Sequence, residues 1–223
     1  MRRGYEKVPL GPAIYSTLYG VLGCTLPVLL VENYVRVLFE VTRSGYFQVG
    51  LLGENILLFT PSVFLFPFLE EALKVLGIAR LVTSGKSKGR RETAALGVIS
   101  GAGFSSSMNM VRATVLFTKG ELAKRFVPEL MQFASFATVH SGAAGILSYS
   151  LSHVFQSERP IASLLKTYLV MVFIQVLYQL ILASRSVLGV YTEVYLLLFA
   201  VFFLSGLAIL ARRENIRDPS SDP

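Results

Sequence analysis

The stretch FLFPFLEEALKVLG, Phe64 to Gly77, sets two adjacent carboxylates and a lysine inside an otherwise apolar run. A charge at mid-membrane costs at least about 2.5 to 3.5 kcal/mol on insertion scales, so Glu70, Glu71 and Lys74 need a reason to be there. On a helix Lys74 lies four residues from Glu70 and three from Glu71, within reach of either carboxylate. One lysine softens the charge cost without removing it, because a second carboxylate remains. If the pair lies deep, it faces protein or water. The alternative is a helix end at the interface, since the segment runs on into GIARLVTSGKSKGRR.

Outward from this stretch the chain reads as a membrane protein. It has 223 residues, 53% hydrophobic and 16% charged, with a mean hydropathy of +0.58, outside the usual balance of a soluble domain. A span needs roughly 20 apolar residues, and about six fit. The expected spans are Leu10 to Val31, Val49 to Val82, Thr93 to Phe117, Leu130 to Val154, Ala162 to Ala183 and Val194 to Ala211. The fold class expected is therefore an all-α polytopic transmembrane bundle, one integral membrane domain over 1–211 with a disordered polar tail over 212–223.

The second segment is too long for one straight span and carries Pro61 and Pro67, which points to a proline-broken helix or a span followed by an embedded one. Between it and the first span, ENYVRVLFEVTRSGYFQ reads as an amphipathic stretch at the interface. The first run lacks a small-residue cleavage site and reads as a retained helix. Cys24, the lone cysteine, cannot form an intrachain disulfide and reads as a small packing residue.

The net charge of +7 sits in short loops beside the spans, which argues for membrane topology and against a nucleic-acid partner. With six spans, twelve Lys and Arg fall on the side of both termini and about six on the other. The positive-inside rule then places both termini in the cytoplasm.

Four spans each carry polar residues in apolar surroundings. Adjacent carboxylates at Glu70 and Glu71 compete for ionisation, which suits the less well paired one to take a proton from water. In GVISGAGFSSSMNMVRA, Gly97, Gly101 and Ser105 recur every four positions and allow a close helix neighbour. The same segment carries Asn109 and Arg112, the latter placed to snorkel. His140 stands among small residues in FATVHSGAAGILSY, a candidate ligand or proton carrier, though a lone histidine is more often simply hydrogen-bonded. In FIQVLYQL, Gln175 and Gln179 share a helix face, a spacing common in structural hydrogen bonding between helices. A shared polar cavity explains these islands together.

This pattern resembles the PrsW family of intramembrane metalloproteases, relatives of the CAAX prenyl proteases. EEALK matches the family's EExxK, GAGFSSSMN is similar to its GxGFxxxEN, and HSGAAG is similar to its histidine segment, all within Phe64 to Gln179, roughly half the chain. The resemblance implies a peptide hydrolase acting on membrane protein substrates in the bilayer, in a prokaryotic plasma membrane. Glu70, Glu71 and His140 would be catalytic, with Glu71 and His140 on a Zn²⁺-type ion that acidifies water and polarises the carbonyl. Lys74, Asn109, Gln175 and Gln179 would support them.

The chain departs from the pattern at Met108, where the family has a glutamate, and at Gln175, where a late histidine is expected. Zinc wants about three His, Cys or carboxylate ligands, which thioether and amide replace poorly. Two alternatives therefore stand beside the protease: a degenerate relative that binds membrane protein segments as an adaptor or regulator, and a small proton-coupled carrier.

Overall fold

The computed structural model describes residues 8–45, 64–87, 89–156, 161–184, 188–189 and 191–217. Every extended element among them is helical, and they form six helices. The first, α1, is helical over 10–45 in three consecutive pieces, Leu10–Leu18, a π-helical turn Tyr19–Cys24, and Thr25–Gly45. The others are α2 Phe66–Thr83, α3 Arg90–Thr118, α4 Phe126–Gln156, α5 Ile161–Ala183 and α6 Tyr191–Arg217.

Local chemistry sets the ends. Pro67 sits in the first turn of α2, where its missing N–H is no loss. Gly85 closes α2 and Gly120 closes α3, each at φ +67°. In both, the glycine N–H bonds three residues back, Gly85 to Val82 and Gly120 to Phe117. The next N–H reaches five back, Lys86 to Leu81 and Glu121 to Leu116, the paired bonds of a Schellman stop. The π turn has a cause as well. Pro27 cannot donate to the helix ladder, and just upstream of it the backbone widens by one residue, with the Thr25 hydroxyl donating to the Gly20 carbonyl at 3.2 Å.

Helices α3 and α4 are the central pair, and glycine is what lets them approach. A Cβ on Gly97 would lie 2.2 Å from Ser148 Oγ and 2.4 Å from the Ala144 carbonyl. One on Gly101 would lie 2.5 Å from the His140 carbonyl oxygen. The four-residue spacing expected to admit a close neighbour thus faces α4. Helix α1 packs on another side of α3, with Gly20 of its π turn against the Ser100 carbonyl and Gly103 against the Thr17 carbonyl just before that turn.

Beside an apolar core the bundle buries charged side chains and exposes large apolar ones. Glu70, Glu71, Lys74, Glu129, His140 and Gln175 are buried, whereas Leu18, Leu22, Leu26 and Leu30 on α1, and Leu165, Leu169 and Phe173 on α5, lie exposed. Among the described residues, two helices are long and apolar enough to cross a membrane, Leu10–Val35 and Ile161–Leu182, with a shorter apolar helix at Tyr191–Gly206.

Some boundaries differ from expectation. The amphipathic stretch after the first span is a direct continuation of α1 to Gly45, because no proline or glycine interrupts residues 28–44. Helix α6 runs to Arg217, past residue 212, the expected start of the polar tail. Residues 46–63, and with them the break expected at Pro61, lie outside the described residues, as do 218–223.

Gly101→Val is expected to force α3 and α4 apart and to destabilise the fold by about 1–3 kcal/mol, the usual range for overpacking. Thermal unfolding in detergent measures it. Gly206→Ala, where a new Cβ meets nothing within 4 Å, is the control and should melt with the parent protein.

Candidate functional site

A turn into α2, Glu70, Glu71 and Lys74 point into the bundle. They meet His140 from the middle of α4 and Gln175 from α5. All five side chains are sealed: Glu70 is 4% exposed, the other four 1% or less. The Lys74 ammonium donates to Glu71 Oε1 and contacts His140 Nδ1 at 2.9 Å. The Gln175 amide N–H also donates to Glu71 Oε1, and lies 3.2 Å from His140 Nδ1. Lys74 Nζ stands 5.3 Å from the centroid of the Phe104 ring, a cation–π distance that adds to its stabilisation.

These contacts determine the state of the imidazole. An ammonium and an amide NH₂ have only hydrogens to offer, so His140 Nδ1 must accept. The proton of a neutral imidazole then sits on Nε2, which becomes a donor. Nε2 is buried and has no hydrogen-bond partner among the described residues, and the same is true of Glu70 Oε2 and Glu71 Oε2. Glu70 Oε2 lies 3.7 Å from His140 Nδ1, too far for a hydrogen bond. Buried polar atoms are rarely left unpaired, so three in one cluster leave hydrogen-bonding capacity for a water molecule and a polar ligand. The charge count agrees. Two carboxylates and one ammonium leave one negative charge to be balanced by a proton or a cation in a site closed to solvent.

Aromatic rings wall the imidazole in. The Phe136 centroid is 4.0 Å from that of His140, and the Phe104 centroid 5.2 Å away. Neither phenylalanine stood out in the sequence. Phe136 lies four residues before His140 on the same helix face, the one signal that could have found it.

As arranged, the two residues expected to hold a zinc ion are engaged with Lys74. Among the described residues no group of three or more His, Cys, Asp or Glu side chains is placed to hold a metal. At the two expected ligands, Lys74 already lies against both Glu71 Oε1 and His140 Nδ1, and the remaining imidazole nitrogen carries the proton.

The other expected residues are distributed differently. Gln175, expected as a support, belongs to the cluster. Asn109 is half-buried on α3 and donates to the Phe133 carbonyl of α4 at 3.2 Å, a bond between helices. Gln179 is half-buried one turn beyond Gln175. Met108 packs against the apolar group of Cys24, Val28 and Phe104. Arg112 does not snorkel alone: its Nε donates to Glu129 Oε2 at 2.8 Å.

Comparison of the chain with protein-family models, with curated proteins and with solved structures finds no match in any of the three.

Removing one partner of a buried ion pair typically costs about 3–5 kcal/mol. Lys74→Met should therefore lower the free energy of unfolding by an amount in that range, and Lys74→Met combined with Glu71→Gln should recover part of the loss. The tautomer is open to nitrogen NMR, in which His140 should carry its proton on Nε2.

Proposed function

We propose that the chain is a polytopic membrane protein and an intramembrane peptide hydrolase of the PrsW type, cleaving membrane protein segments at the site of Glu70, Glu71, Lys74, His140 and Gln175. The observation that carries this reading is the convergence of these five sealed side chains from three helices, with two carboxylate oxygens and one imidazole N–H left to bind something. The membrane setting is supported by the leucine-covered exterior and the buried charges, since lipid, unlike water, favours that arrangement.

The contacts divide the labour between the two glutamates. Glu71 Oε1 is committed to Lys74 and Gln175, so Glu71 holds the ammonium that fixes the His140 tautomer. Glu70, with its unpartnered Oε2, is the general base. It takes a proton from water as the water oxygen bonds to the carbonyl carbon. His140 Nε2–H donates to the carbonyl oxygen as that oxygen becomes negative. The proton held by Glu70 then passes to the departing amine as the C–N bond breaks. Each step uses only groups of this chain and one water molecule.

The adaptor reading has its own observation. Where the resemblance expects a further acid, Met108 lies in apolar packing, so the chain could keep the polar cluster to hold a helix without cutting it. The two readings separate in proteoliposomes carrying a transmembrane peptide library. Cleavage by the parent protein, lost by at least about a hundredfold in Glu70→Gln at an unchanged melting temperature, supports the hydrolase. Stable peptide capture with no product supports the adaptor. Elemental analysis of the purified protein is expected to find no stoichiometric zinc, and zinc lost on substituting Glu71 or His140 would reinstate a metal mechanism.

A further inference from the structure

Two tyrosines outside the cluster reach the backbone of the helix that bears the carboxylates. The Tyr168 hydroxyl, from α5, donates to the Phe68 carbonyl at 2.7 Å. The Tyr19 hydroxyl, from the π turn of α1, donates to the Leu73 carbonyl at 3.0 Å. Phe68 and Leu73 bracket Glu70 and Glu71 along α2. A carbonyl inside a helix already accepts one N–H from four residues on, so each tyrosine occupies the second lone pair.

The seat of Tyr19 is closely fitted. A Cβ on Gly77 would come within 2.2 Å of the Tyr19 ring, and one on Gly23 within 2.8 Å, so glycine at both positions makes room for the ring. Tyr15 stacks on it with centroids 6.0 Å apart. On the other side, Tyr168 lies seven residues before Gln175, two turns along the same face of α5. That face therefore holds α2 twice, at the Phe68 carbonyl and at Glu71. Tyr168 also packs against the Phe68 ring, with centroids 6.2 Å apart.

We infer that Tyr19 and Tyr168 are positioning residues, whose hydroxyls fix the rotation of α2 so that Glu70 and Glu71 both face His140. Successive residues on a helix point about 100° apart, so two adjacent side chains can share one site only within a narrow range of helix rotation. Two anchors on different sides of α2, one before the carboxylates and one after, define that rotation better than apolar packing, which tolerates small turns of a helix. A catalytic consequence rests on the hydrolase reading above; the geometric one does not.

The test compares the full-length parent protein, Tyr19→Phe, Tyr168→Phe and the double variant in liposomes, using dicyclohexylcarbodiimide, an apolar reagent for buried carboxyl groups. The rates of modification at Glu70 and Glu71 are followed by mass spectrometry. Losing both hydrogen bonds should shift the ratio of the two rates by about tenfold, with each single change giving less. Where peptide cleavage is present, kcat should fall at an unchanged KM. Gly77→Ala, which pushes the Tyr19 ring from its seat without touching a hydroxyl, should shift the ratio in the same direction. An unaltered ratio in the double variant overturns the inference, and so does a lowered melting temperature with the ratio unaltered, since that is a merely structural role. A shifted ratio in a protein that cleaves nothing keeps the inference and sinks the hydrolase.

Discussion

The contact of the Lys74 ammonium with Glu71 and His140 is the constraint on which the rest of the structure hangs. An ammonium with almost no solvent exposure is tolerable only if opposite charge and acceptors surround it, and here a carboxylate, an imidazole nitrogen and an aromatic face do so. Each partner comes from a different place in the chain: Glu71 from the turn before Lys74, Phe104 from α3, His140 from α4. Satisfying one lysine thus brings three helices to one point. Gln175 adds a fourth by donating to the same two acceptors.

Close packing elsewhere follows from that demand. Helices α3 and α4 lie nearly in backbone contact beside the cluster, and Gly101 faces the His140 carbonyl oxygen itself. The residue that supplies the imidazole is therefore also the residue whose backbone the glycine accommodates. On the other flank the π turn of α1 brings Gly20 against α3 and Tyr19 against α2. Local widening beside Pro27 so becomes a feature of the site's wall. Packing and polar satisfaction are coupled here, because a helix that moved to relieve a steric contact would leave a buried charge unpaired.

On the hydrolase reading, the same coupling shapes the chemistry. A lysine held against Nδ1 makes the histidine a hydrogen-bond donor through Nε2, and a glutamate that secures the lysine is not the one best placed to accept a proton. The residue types alone, two glutamates and a histidine, suggest metal ligands. Their arrangement around an internal cation suggests acid–base and donor roles, with the ammonium in the place where a metal's positive charge would be sought.

The amino-acid sequence by itself determined the helical class, the segments that carry polar residues in apolar surroundings, and the small-residue spacing at Gly97 and Gly101. These are properties of composition and of a 3.6-residue period, and they need no knowledge of neighbours. Five of the residues singled out, Glu70, Glu71, Lys74, His140 and Gln175, were legible as a set because charge or amide in an apolar helix is costly wherever the helix goes. Which of them touch was decided only by the tertiary structure. Asn109 and Gln179 carry the same signal as Gln175, yet rotation about the helix axis gives the cluster Gln175 alone. Phe136, Tyr19 and Tyr168 carry no such signal, since an aromatic residue in an apolar helix is ordinary. Their parts come from packing between helices up to 100 residues apart in the chain, and contacts of that range are set by how whole helices dock, which no local period records.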